Sequence, residues 1–166
     1  MGVILRPVQL DDLARLRVLN QAAIPHVNSL TVAQLDWFRV QAPYFRVAES
    51  DGAIAGFLTA LFPEADYQSP NLLWFRNHRD RFVYVDRIIV AGPVRGTGIG
   101  RLLYADLEGF SRPFARLLTC EVNLRPPNPG SLAFHRRLGF HEAGRQELDG
   151  GTREVVLLEK DLTAAR

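Results

Sequence analysis

The feature that most constrains this chain is one run, RFVYVDRIIVAGPVRGTGIGRLLYADLEGFSR, at residues 81–112. Its first part is dense in β-branched and aromatic residues and reads as a strand. Its last part places Leu102, Leu103, Ala105 and Leu107 on what the spacing predicts to be the apolar side of a helix. Between them stand Arg95 and three alternating glycines, Gly96, Gly98 and Gly100. Glycine costs backbone entropy, so three so close together need a reason. A tight turn is one. A row of bare N–H groups at a helix N-terminus, shaped for an anion, is the other.

The rest of the chain frames that run. VILRPV predicts a first strand. QLDDLARLRVLNQAAI predicts a helix with Leu10, Leu13, Leu16 and Leu19 inward, ended by Pro25. SLTVAQLDWFRVQ predicts a second helix with Thr31 as N-cap. YFRVAES and AIAGFLTALF flank Asp51–Gly52 and predict a hairpin. Residues 63–80 form a longer connection, helical around SPNLLWFRN. After the glycine run come a buried strand, ARLLTCEVNL, and a short helix in NPGSLAFHRRLGF that stops at Gly139. A closing hairpin turns at DGG. Hairpins mixed with crossovers predict an α/β fold with a mixed, mostly antiparallel sheet of about seven strands and helices on both faces. At 166 residues a single domain, 1–166, is expected.

Bulk properties exclude some functions. A net charge of +2 is too small to demand nucleic acid. No apolar stretch approaches the ~20 residues that cross a bilayer, so no membrane partner is expected. The N-terminus lacks the pattern of a secretory leader. Cys120 stands alone, so neither a disulfide framework nor a zinc cluster is expected, and a cytoplasmic location is the default.

Three phosphate-binding patterns compete for the glycine run. A P-loop needs Lys-Ser/Thr after its last glycine, whereas Arg101–Leu102 follow Gly100. A dinucleotide fingerprint needs G-x-G-x-x-G, whereas this run is G-x-G-x-G, although Glu121 mimics the ribose-binding acid. Arg-x-x-Gly-x-Gly, met by Arg95, Gly98 and Gly100, resembles the acyl-CoA pyrophosphate loop of the GNAT N-acetyltransferase superfamily. NPGSLAFHRRLGF resembles that superfamily's second signature, with Asn128, Ser131, Phe134, His135 and Leu138–Gly139–Phe140 in its places. The element order resembles the same fold over essentially the whole chain.

The resemblance implies an acetyl-CoA-dependent N-acetyltransferase. It would move an acetyl group directly onto a primary amine of a small molecule, amino acid or peptide, with neither a metal nor a covalent enzyme intermediate. Its alternative is a regulatory acyl-CoA-binding module of the same fold. The pyrophosphate would lie on Gly96, Thr97, Gly98 and Gly100, helped by Arg95 and Arg101 unless these are merely solvated, with Ile99 packing inward. Pantetheine would pair with main chain at Ile88, Ile89 and Val90 where two parallel strands splay, and with Asn128 and Ser131. Asn128 is equally a helix cap.

Asp86, which interrupts an apolar strand, is the first candidate base, unless it simply pairs with Arg87; Glu121 is the second. His135 stands where the superfamily often has an acidic tyrosine. It is either that acid or a surface residue. Asn28, Trp37, Tyr67, Trp74, Phe75 and His78 are candidate acceptor-side residues, and a homodimer is left open.

Overall fold

The computed structural model describes residues 2–163. The strands are β1 (Val3–Pro7), β2 (Tyr44–Ser50), β3 (Ala53–Leu61), β4 (Phe82–Val90), β5 (Leu117–Arg125), β6 (His141–Leu148) and β7 (Arg153–Asp161). The helices are α1 (Leu13–Ala22), α2 (Val32–Gln41), α3 (Pro70–His78), α4 (Ile99–Ser111) and α5 (Pro129–Arg137). The strand order is β1-β2-β3-β4-β5-β7-β6. The mixed α/β class and the mostly antiparallel seven-stranded sheet agree with expectation, and β4–β5 is a parallel pair.

The chain divides into two compact units. The first joins Met1–Leu61 to Val85–Gly109, and the second joins Phe62–Tyr84 to Phe110–Arg166. In the first, β1, β2 and β3 form an antiparallel meander. Its hairpin turns at Asp51 and Gly52, both at positive φ (54° and 76°), as a two-residue turn requires. Leu13, Leu16, Leu35, Phe38, Val47, Phe57 and Leu58 are fully buried. Phe45 meets Phe38 and Phe57 edge-on at 6.2 and 6.0 Å. Thr31 caps α2 in a reciprocal box with Gln34.

Two local expectations change here. Leu10 is 61% exposed, because it sits in a 3₁₀ turn that Asp12 fixes by accepting from the Gln9 N–H at 2.7 Å. The shift to three residues per turn takes Leu10 off the α1 stripe. In α4 the buried side is Ile99, Leu103, Tyr104 and Leu107, while Leu102 and Ala105 are exposed. Ile99, at the first turn, sets that helical phase.

In the second unit β4 runs parallel to β5 from Phe82↔Leu117 to Tyr84↔Thr119, and β7 pairs antiparallel with both β5 and β6. Helix α3 is capped by Ser69, whose hydroxyl accepts from the Leu72 N–H, with Pro70 pre-set at the first position. Phe75 packs inward at 5.8 Å from Phe82 and 6.2 Å from Tyr84. Helix α5 ends as its sequence predicts. Gly139 has φ +99°, its N–H donates to Arg136 O, and the Phe140 N–H donates to His135 O. That pair of bonds is a Schellman stop.

Candidate active site

The glycine run forms the turn between β4 and α4 in the first unit. Gly96 and Gly98 have φ of +78° and +93°, where a side chain is strained. Gly100 lies inside the first turn of α4 and does not use that freedom. The first intrahelical bond runs from the Leu102 N–H to Gly98 O at 3.0 Å. Among the described residues, the N–H groups from Gly96 to Arg101 make no hydrogen bond with the protein. Six consecutive donors stand there, four of them at or beside the positive end of a helix, where negative charge is favoured.

The loop is braced from within. Thr97 Oγ1 donates to Val94 O at 2.6 Å, and Arg95 Nε donates to Val90 O at 3.1 Å. Arg95 thus ties the loop to the end of β4, while Arg101 is exposed. Ile99 is buried, as expected.

The end of β4 presents its main chain in alternate directions. The Ala91 N–H donates to Ala55 O, and Ile89 O lies against Gly56, both on β3. Strand alternation then turns the main-chain groups of Ile88 and Val90 to the opposite edge. Of the three residues expected to pair with a ligand, Ile89 is therefore engaged with its own sheet.

Asp86 is buried and its Oδ2 accepts from Arg87 Nε at 2.7 Å. The ion-paired arrangement that the sequence left open is the one observed. Arg87 reaches further: one terminal nitrogen donates to Asn20 Oδ1 at 2.8 Å, and the other to Asn28 Oδ1 at 2.8 Å. Nothing in the sequence pointed to these partners, which lie 67 and 59 residues away.

The second unit holds the remaining candidates. Both carboxylate oxygens of Glu121 accept from the Tyr84 hydroxyl, at 2.9 and 2.8 Å. Asn128 caps α5, its Oδ1 accepting from the Ser131 N–H at 3.4 Å. His135 is not a surface residue, being 3% exposed between Phe134 and Phe140. Its Nδ1 lies 2.8 Å from Ser131 O and 3.3 Å from Ser131 Oγ. Burial holds the imidazole below its ordinary 6.5, with its bond to Ser131 O working in the opposite direction. The neutral ring donates from Nδ1 to that carbonyl.

The acceptor-side candidates are dispersed. Phe75 belongs to the core. Trp74 stacks on His78 at 3.9 Å and lies so close over Gly144 that a Cβ there would sit 2.5 Å from its ring. Tyr67 is half-buried in the same unit. Asn28 and Trp37 belong to the first unit, where Asn28 is held by Arg87.

The fold and the match to a family model place the chain among the acyltransferases. The chain belongs to the acetyltransferase (GNAT) family, whose model matches residues 12–140. Its fold is similar to Ard1 from Thermoplasma volcanium (TM-score 0.78, 14% identity, 97% of this chain and 98% of that one). It also resembles the ribosomal-protein-S18-alanine N-acetyltransferase from Escherichia coli (0.74, 15%, 99% and 97%). A third similar structure is Chaetomium thermophilum Naa20 in complex with a bisubstrate analogue (0.76, 22%, 95% and 86%). A search of curated proteins gives no significant match. No helix among the described residues is long and apolar enough to cross a membrane.

Proposed function

We propose that this protein is a single-domain cytoplasmic enzyme that carries an acetyl group from acetyl-CoA directly to a primary amine within a ternary complex. The six N–H groups from Gly96 to Arg101 carry this reading, because donors left without protein acceptors at a helix N-terminus suit a pyrophosphate. Pantetheine adds as an extra strand to the edge of β4 that Ile88 and Val90 present, with Val90 O already accepting from Arg95. An N–H on that edge stabilises the thioester oxyanion. A similar structure, the NatC complex, is described with a Gag peptide and CoA, which supports CoA as the ligand.

The base takes a proton from the ammonium, the neutral amine attacks the thioester carbon, and the tetrahedral intermediate gives up the second nitrogen proton as its C–S bond breaks, that proton ending on the departing thiolate. Of the two carboxylates, Asp86 is committed to Arg87, and a proton on it would break a buried ion pair. Glu121, the second candidate, is held by a phenol rather than a guanidinium, so we assign it the base role on its partner's chemistry. His135 is kept neutral by burial, which opposes a role as proton donor. A thiolate is a far better leaving group than an alkoxide and departs without a strong acid.

Initial rates with acetyl-CoA against amines, amino acids and peptides test the proposal. Intersecting double-reciprocal lines are expected; parallel lines would mean a covalent enzyme intermediate. Glu121→Gln is expected to lower kcat about 100-fold and to remove the acidic limb of the pH–rate profile. If His135→Ala removes a limb and Glu121→Gln does not, the roles are reversed. Acetyl-CoA binding without turnover of any acceptor would favour the regulatory module.

A further inference from the structure

Arg87, on β4, reaches α1 at Asn20 and the connection that follows it at Asn28. We propose that Arg87 is a positioning residue: it clamps the α1–α2 connection, residues 23–31, to the strand that holds the acyl donor, and so fixes the acceptor amine. This rests on the transferase reading above.

The observations lie in one compact unit. The Arg87 side chain is 4% exposed and that of Asp86 is 5% exposed. Its Nε donates to Asp86 Oδ2. One terminal nitrogen donates to Asn20 Oδ1 and, at 3.3 Å, to Asn28 O; the other donates to Asn28 Oδ1. The guanidinium also lies 6.0 Å from the centre of the Phe38 ring on α2. Asn20 closes the network, its Nδ2 donating to Asn28 O at 3.0 Å.

Burying a charged pair is a poor way to gain stability, since apolar side chains of similar volume fill such space at least as well. What a planar five-donor fork adds is geometry. It reads the main-chain and side-chain oxygens of Asn28 together, which fixes both the path and the orientation of the connection there. Ile88, the next residue, presents the donor edge. The clamp therefore sets the distance between the connection and the acyl group within one residue of the strand. Other ties reach the connection from α1, Arg17 Nε to Leu30 O and the Leu30 N–H to Gln21 Oε1, and from α2, the Thr31 N–H to Gln34 Oε1. Asp86 holds the fork from the remaining side.

The test uses Arg87→Lys, which keeps the charge and loses the fork, and Asn28→Ala, which trims an exposed side chain and leaves the core intact. Phenethylamine and an alanine-initiated hexapeptide serve as acceptor probes. Amide hydrogen exchange across residues 23–31 is expected to speed up about tenfold in both variants. Acceptor KM is expected to rise about tenfold, with kcat and acetyl-CoA affinity changed less than about threefold. In the double variant the two effects are expected to overlap rather than multiply, because both break one contact.

Unchanged exchange in both variants overturns the clamp, whether or not either amine is acetylated. Multiplying effects on KM would mean that Asn28 touches the amine by itself, and a loss confined to kcat would mean that Arg87 acts in chemistry; either overturns the positioning role. Failure of the parent protein to acetylate either probe counts against the transferase reading, and leaves the exchange result to decide the clamp.

Discussion

Gly98→Ala separates the anion cradle from the stability of the fold. At φ +93° an alanine is strained, at a cost of about 1–2 kcal/mol. Nothing lies within 4 Å of a Cβ built at this position, so no clash adds to that figure. For a chain of this size the melting temperature should fall by about 2–8 °C, and the variant should stay folded at 25 °C. The effect on binding should be larger than that on stability. Relaxing φ turns the peptide planes on either side of Gly98, and so the N–H groups of Gly98 and Ile99. Each charge-assisted bond to a phosphate contributes about 1.5–3 kcal/mol. Losing one lowers affinity for acetyl-CoA by about 10- to 150-fold, and losing two by more. Calorimetric titration with acetyl-CoA, beside a thermal melt, reads both numbers. A variant that melts normally and binds acetyl-CoA as tightly as the parent would refute the cradle.

Two further outcomes are expected. Gly56→Ala puts a Cβ 2.6 Å from Ile89 O and 3.2 Å from Val90 Cα, both main chain of β4 that cannot swing aside. The cost is about 3 kcal/mol, a drop of about 6–12 °C in a thermal melt; a drop under about 2 °C would mean that β3 and β4 can separate there. For His135, folded and unfolded chains both carry a neutral ring above pH 6.5. Below it the unfolded chain binds a proton first, so stability falls with pH until the depressed folded pKa is passed. Urea midpoints at about pH 7.5 and about pH 5 should show this fall in the parent and a smaller one in His135→Gln.

What the sequence determined by itself is local. The turn at Asp51–Gly52, the caps at Thr31 and Asn128, the stop at Gly139 and the glycine-opened start of α4 each depend on φ or on one short-range bond. A few adjacent residues settle these, whatever packs around them. The paired signatures pointed to the family for the same reason, since a glycine turn and a helix cap are local backbone shapes.

Tertiary structure decided which side chains are spent on one another. Arg87 could have met solvent, yet it is enclosed with Asp86, Asn20 and Asn28. Glu121 accepts from Tyr84, 37 residues away, and Trp74 covers Gly144 at a range that only glycine permits. His135 read as either an acid or a surface residue, and packing between two phenylalanines made it a buried, neutral ring. Such outcomes depend on desolvation and on partners many residues away. Residue type and spacing do not encode either until the chain has folded.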